Sequence, residues 1–443
     1  MEAQRHKKLG WLQLWDWIAL FHRIVYILLF LALGFSIPVK NRMATWVIGF
    51  IVINWAVEMR FWAKLKRIIR TTHRQRILLF TVLYLVYLTG LLYSHNMDYA
   101  RFDITVKLSL LVFPLLFATI DGRVFSFLRI NYIFLTYIAG CIAASVACLT
   151  LAWLGYLESG DTGQFFYMRL SVFHHSGYLA MFLNFAIVII VFLSMNHRYH
   201  LNHWHRILIV LLVIFFNLMV VLLSSKMGIL SLLVIYLLMS AIFFFSKPTR
   251  RKAIFPLAMM ATVILLMLFL PQTRARVEGT TNVVEHIDSL KPDTQESTGE
   301  RILVWRSAWN IIQHHPLFGV GTGDVKDALL EEYASQGITY AYSRNLDAHN
   351  QYIQTYLSVG LTGFVLLIAM LVWPAILALT RKDFIYFFFV LLFAMNLLTE
   401  SMFENQAGSV FYAFFNALLF WYLPDKKKRG PSEFQKSPSI GFK

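Results

Sequence analysis

Long runs of apolar residues recur along the whole chain, and they constrain its fold more than any other feature. Because lipid offers no hydrogen-bond partners, a segment that crosses it must satisfy its own backbone polar groups, as a helix does. Most of the runs approach the roughly 17–25 residues that a helix needs to cross a bilayer. The chain is 58% hydrophobic and 14% charged, whereas soluble domains average about 45–50% and about 25%. We therefore predict an all-α, polytopic integral membrane protein with about twelve transmembrane helices. The twelve stretches are 18–37, 44–59, 77–93, 105–120, 132–155, 176–194, 207–223, 227–245, 253–270, 351–371, 384–399 and 409–423.

The formal net charge is +16, and its distribution indicates an orientation. With both ends on the inner side, 26 of the 40 Lys and Arg residues fall in inner segments and 12 in outer segments, and the other two, Arg23 and Lys107, lie within predicted membrane helices. Membrane proteins keep their excess of Lys and Arg in cytoplasmic loops. The basic excess is thus explained by topology and by contact with anionic membrane lipids, and we predict no nucleic-acid partner.

This topology divides the chain into four parts. Residues 1–270 form an N-terminal membrane bundle of about nine helices, 271–348 a large outer loop, 349–423 about three C-terminal membrane helices, and 424–443 a cytoplasmic tail.

The large loop begins with a polar segment that we expect to be mobile. A helix is predicted to start at Ser297, because Ser297 and Glu300 have the spacing of a capping box. The run "HHPLFGVGTGD" (314–324) is typical of a turn, and a second helix is predicted over 325–336, ending at Gly337.

Polar residues that suit chemistry gather at the predicted outer boundary. His349 begins the tenth helix, flanked by Asp347 and Asn350. Three cations reach the same boundary from elsewhere: Arg169 in the third outer loop, Lys226 in the turn between helices seven and eight, and Arg301 beside Glu300 at the start of the loop helix.

A cation near a helix end often simply reaches towards lipid headgroups, and an Arg in a first turn opposes the helix dipole unless a neighbour such as Glu300 neutralises it. Taken together, however, cations beside an imidazole suit an anionic group such as a lipid-linked pyrophosphate, since Arg offers a planar fork and Lys a point charge. A histidine can exchange a proton near neutral pH. We expect Arg169 and Arg301 to lower the pKa of His349 and Asp347 to raise it, with a net pKa at or somewhat below that of free imidazole.

The stretch "HNQYIQTYLSVGLTG" is similar to the His-Asn-x9-Gly-x2-Gly signature of the O-antigen ligase and O-antigen polymerase family. The preceding "STGERILVWRSAWNIIQHHPLFGVGTGD" resembles the loop pattern of that family, and the likeness is strongest over roughly 297–365. The resemblance implies a GT-C-like glycosyltransferase that takes a glycan from an undecaprenyl-pyrophosphate donor without metal or other cofactor. It would place the family's essential histidine at His349 and pyrophosphate-binding arginines at Arg169 and Arg301. Where the family often has Ser-Arg-Gly, this chain reads Ser225-Lys226-Met227-Gly228, so Lys226 keeps the charge and lacks the fork.

The resemblance favours an inverting O-antigen ligase in the bacterial inner membrane, with its site facing the periplasm and lipid A-core as acceptor. An O-antigen polymerase or a protein O-oligosaccharyltransferase would use the same donor with another acceptor. A polysaccharide transporter or flippase is the alternative from a different class, and it would predict repeat symmetry and ionisable residues near mid-helix.

Overall fold

The computed structural model describes residues 2–70, 74–194, 202–287 and 290–422. These residues form nineteen α-helices and no β-strand, so the predicted all-α class is confirmed. The helices before the large loop are α1 (Glu2–Val39), α2 (Asn41–Val57), α3 (Phe61–Arg70), α4 (Arg74–Gly90), α5 (Met97–Lys107), α6 (Ser109–Thr119), α7 (Phe127–Ser159), α8 (Tyr167–Leu170), α9 (Ser176–Ser194), α10 (His203–Leu222), α11 (Lys226–Phe245) and α12 (Ile254–Phe269). Those that follow are α13 (Pro271–Glu285), α14 (Ser297–His314), α15 (Val325–Ser335), α16 (Thr339–Ser343), α17 (Gln351–Arg381), α18 (Phe384–Asn396) and α19 (Gln406–Tyr422).

The predicted apolar stretches all fall largely on helices. In the described residues, eight helical segments are long and apolar enough to cross a membrane. A ninth is added if α2 and α3, which meet at a bend of 102°, form one broken span. The multi-pass character is therefore confirmed, while the count of about twelve crossings stays a prediction.

Helix α9 lies at the centre of the bundle, and nearly all of its side chains are buried. Its Phe185 packs against Phe389 of α18 and against Phe411 and Phe415 of α19, with ring centroids 4.9–5.7 Å apart. Lipid tails are as apolar as these side chains, so close van der Waals packing, rather than exclusion from water, holds such helices together. The central position of α9 fixes the segment just before it, residues 167–175, at one end of the bundle.

The segment between α12 and α17 folds as a small helical unit with its own apolar core. Val304 and Ala308 of α14 pack in this core with Leu329 and Tyr333 of α15, and Leu357 of α17 joins them. The predicted helices starting at Ser297 and ending at Gly337 are both present, although the α14 cap is Glu296, which accepts from the amides of Thr298 and Gly299. The polar beginning of the loop, for which the sequence predicted no helix, forms α13 over Pro271–Glu285, and its mobility stays a prediction.

The two glycine-containing runs noted in the sequence interlock. Helix α17 breaks at Gly360, which has φ 66° and ψ −162°, a conformation that is essentially restricted to glycine. The break lets the backbone of 316–321 pass against that of 357–361, with bonds from the amides of Val320, Gly321 and Leu361 to the carbonyls of Leu357, Ser358 and Pro316 at 2.8, 3.0 and 3.1 Å. A Cβ on Gly360 would lie 2.1 Å from the Leu317 carbonyl oxygen. The interlock therefore fixes the loop unit on the helix that follows His349.

Candidate functional site

The turn between α10 and α11 delivers Lys226 to the first residues of α14. Ser225 caps α11 by accepting from the Gly228 amide at 3.2 Å, which leaves Lys226 as the first helical residue. Its ammonium group contacts Glu296 Oε1 at 2.5 Å and Thr298 Oγ1 at 2.7 Å. Lys226 is thus joined to the large loop through a carboxylate.

A second cation, Arg301, is joined to His349 by one carboxylate. The Arg301 guanidinium donates to Glu400 Oε1 at 2.9 Å, and the other oxygen of Glu400 lies 3.7 Å from His349 Nδ1. Arg301 Nε is buried without a partner among the described residues. The arrangement holds an imidazole and a guanidinium on opposite sides of a single buried acid.

His349 itself has an unusual backbone. It lies just before α17 with φ 44°, in the left-handed backbone region that residues other than glycine seldom occupy. Its amide donates to Asp347 Oδ1 at 2.8 Å, and the same oxygen accepts from the Ser401 hydroxyl at 3.0 Å. Asn350 caps α17 by accepting from the amides of Tyr352 and Ile353 at 2.9 and 3.2 Å. Asp347 and Asn350 therefore fix the backbone on either side of His349.

The carboxylates around His349 set its proton affinity. Burial lowers the pKa of His349, but the charges of Glu400 and Asp347 outweigh burial and Arg301, so the pKa is raised. Arg301 lowers this pKa and Asp347 raises it, as expected, but the expected net pKa at or below that of free imidazole is wrong. Burial alone would raise the pKa of Glu400, yet His349, His175 and Arg301 lower it to about 2, which keeps this carboxyl ionised. Burial raises the pKa of Asp347, against the lowering effect of His349.

The other two residues predicted for the site are Arg169 and Glu300, and only Glu300 lies close to the charges of His349 and Arg301. Arg169 forms an ion pair with Asp161 and its side chain is 61% exposed, and no contact in the described residues joins it to His349 or Arg301. Glu300 is half-buried, and burial raises its pKa while the charges of His349 and Arg301 oppose the rise. The structure thus brings together Lys226, Arg301 and His349 with their carboxylates, and it leaves Arg169 beside its own partner.

Sequence reasoning gave Glu400 no part in this cluster, because an acid in a short loop carries no local signal of a partner 99 residues away. The segment that carries it is anchored by a buried ionic group, in which Lys107 of α5 pairs with Asp103 and contacts Glu404 Oε1 at 2.7 Å. Lys107 is fully buried, so its charge has to be matched by these acids. The buried group fixes the position of Glu400.

His175 and Ser225 border the same cluster. A Cβ on Gly177 would lie 3.4 Å from His175 Nδ1, 3.7 Å from Ser225 Oγ and 3.8 Å from Glu400 Oε1. The start of α9, the turn before α11 and the segment after α18 therefore meet at Gly177. Across the described ranges no three His, Cys, Asp or Glu side chains are grouped to hold a metal ion, and metal independence stays a prediction.

Comparison with known families supports the sequence resemblance. Residues 207–368 match the family described as O-antigen ligase. This segment contains Lys226, the whole loop unit, Arg301 and His349, and it ends eight residues after the break in α17 at Gly360. No curated protein shows significant sequence similarity to the chain.

Proposed function

We propose that this protein is a glycosyltransferase that moves a glycan from an undecaprenyl-pyrophosphate donor to a hydroxyl acceptor at the outer face of the bacterial inner membrane. The observation that carries the proposal is the Arg301–Glu400–His349 arrangement within a segment similar to O-antigen ligases. It puts a candidate base beside cations suited to a leaving pyrophosphate. The four-part division of the chain, with 271–348 in the periplasm, belongs to the same proposal.

In the proposed reaction, His349 accepts the acceptor hydroxyl proton. Its Nδ1 faces the carboxylates of Glu400 and Asp347, both 3.7 Å away, so a proton held on Nδ1 leaves Nε2 free as the base. The acceptor oxygen forms a bond to the anomeric carbon while the bond from that carbon to the pyrophosphate oxygen breaks. A single displacement of this kind inverts the anomeric configuration.

The departing pyrophosphate takes the electron pair and becomes more negative. Arg301 and Lys226 are the groups that would stabilise it, and preorganised charges beside a developing anion are often the largest contribution to catalysis. A phosphate that binds Arg301 or Lys226 competes with Glu400 or Glu296 for the same donors. Arg169 would join this group only after leaving Asp161. The reaction as proposed uses no metal or organic cofactor.

The decisive experiment compares wild type with His349→Gln in purified protein, using an undecaprenyl-pyrophosphate oligosaccharide and a lipid A-core acceptor. Glutamine keeps a polar side chain but cannot act as a base near neutral pH, and general-base help is worth about 10²–10⁴-fold. We expect transfer to fall by that amount while donor binding persists. Near wild-type transfer by His349→Gln would rule out the base role.

Ligation and polymerisation share this chemistry and differ in the acceptor. We propose ligation to lipid A-core, and lipopolysaccharide from a deletion strain tests it. Core without long chains is the expected result, whereas core carrying one repeat unit would indicate a polymerase. Normal lipopolysaccharide together with surface proteins that lack their glycans would indicate a protein glycosyltransferase.

A further inference from the structure

Arg276 of α13 is a cation close to the candidate site, and no acid in the described part of the chain forms an ion pair with it. The three cations singled out from the sequence each hold a carboxylate: Arg169 holds Asp161, Lys226 holds Glu296 and Arg301 holds Glu400. For Arg276, no carboxylate of the described residues lies within ion-pair distance of 4.0 Å. Within the described ranges, the guanidinium group of Arg276 is therefore open to an external anion.

The position of this guanidinium is fixed by an aromatic ring. Its central carbon lies 3.8 Å from the ring centroid of Tyr167. Tyr167 has φ 54°, and its ring meets that of His175 edge-on, with centroids 6.3 Å apart. A guanidinium stacked on a ring keeps the N–H donors at its edge free for phosphate oxygens. Tyr167 thus holds Arg276 in place without using its hydrogen-bonding capacity.

Arg276 belongs to the same electrostatic neighbourhood as the cluster. Burial lowers the pKa of His175, and the charges of Arg301 and Arg276 lower it further, against Glu400. The charge of Arg276 also repels that of Lys226. Arg301 of α14 and Arg276 of α13 therefore both act on His175 and on Lys226.

We propose that Arg276 binds a phosphate oxygen of the pyrophosphate in the lipid-linked donor, and that it supplies the planar fork which Lys226 lacks. The inference rests on the proposed function, since it names a further donor-binding residue of the same site. A phospholipid headgroup offers the same oxygens, so the experiment has to separate the two sources.

The test measures transfer kinetics of Arg276→Gln in nanodiscs of phosphatidylcholine, with undecaprenyl-pyrophosphate oligosaccharide as the varied substrate. We expect the donor KM to rise about tenfold, the effect of one charged hydrogen bond, with kcat and the acceptor KM little changed. Arg274→Gln is the matched control, because Arg274 lies on the same helix and is paired with Glu278 at 3.0 Å. It should behave as wild type.

The aromatic support gives a second, independent pair of variants. Tyr167→Phe keeps the ring and should keep the donor KM, whereas Tyr167→Leu removes the stacking surface and should raise it. Both carry the same backbone conformation, so a difference between them reports on the ring. Thermal unfolding of all four variants shows whether any of them is simply misfolded.

Three results would overturn the inference. Arg276→Gln could have the same donor KM as Arg274→Gln while Arg301→Ala loses donor use, which would show that Arg276 does not bind the donor. Tyr167→Leu could have the same donor KM as Tyr167→Phe, which would show that the stacking of Arg276 on the ring does not support donor binding. Arg276→Gln could change only the dependence of activity on added phosphatidylglycerol, which would assign Arg276 to a lipid headgroup. If wild type and Arg274→Gln do not use this donor at all, the proposed function itself fails.

Discussion

Substituting Gly360 by alanine tests the interlock between the loop unit and α17. At φ 66° and ψ −162°, a residue with a side chain is strained by about 1–3 kcal/mol. The added Cβ would also lie 2.1 Å from a backbone oxygen, which can move only if the three interlocking hydrogen bonds at 2.8–3.1 Å are disrupted. Each of these contributes about 0.5–1.5 kcal/mol. The total is on the order of 5 kcal/mol, comparable with the whole stability of many proteins.

Gly160→Ala is the matched control for this experiment. Gly160 has φ 67°, and an added Cβ would have no neighbouring atom within 4 Å. It also lies far from α17 in sequence. It therefore reports the conformational cost alone, about 1–2 kcal/mol. Thermal unfolding in detergent, followed by size-exclusion chromatography, should show Gly360→Ala far less stable than Gly160→Ala, and transfer should be lost in whatever protein remains. Equal melting temperatures for the two variants would refute the clash argument.

Three further outcomes are expected. Glu400→Gln removes the charge that raises the pKa of His349, and since the base must be unprotonated, the acid limb of the pH profile of kcat/KM should move to lower pH; an unmoved or raised limb would contradict this arrangement. Lys226→Arg should keep donor use and Lys226→Ala should raise the donor KM about tenfold or more, as loss of a charged hydrogen bond to phosphate predicts; equal kinetics for both would exclude a donor role. Transfer by purified protein should survive EDTA, and activity restored only by a divalent ion would show a metal requirement.

Much of the fold follows from local patterns. Apolar runs of the right length predict helices at their observed places, and α14 begins at Ser297 as predicted, although Glu296 rather than Ser297 caps it. Helix α13 was missed because its residues are polar, although Pro271 at the first helical position is a recognised start signal. Local chemistry thus places helices well when they are apolar and less well when they lie on a surface.

The ionic partners of the site could not be predicted in this way. Arg301 has Glu300 beside it in sequence, yet its carboxylate is Glu400, 99 residues later. Arg169 pairs with Asp161, only eight residues away, and it is not among the groups that most affect the pKa of His349. Which acid meets which base depends on how the segments after α18 and before α9 pack, and no periodicity or spacing encodes that packing.

The carboxylates that accompany Lys226 and Arg301 affect which anions the site will hold. A phosphate that binds Lys226 or Arg301 has to replace Glu296 or Glu400. The binding free energy is therefore only the difference between the cation–phosphate and cation–carboxylate interactions. Small anions free in the aqueous phase make few other contacts with the protein, so we expect them to compete weakly with these carboxylates. A ligand already tethered to the bilayer arrives at high local concentration, and its chain adds contacts that a free ion lacks. We therefore expect the pairing of Lys226 and Arg301 with acids to weaken the binding of soluble phosphate to these two cations.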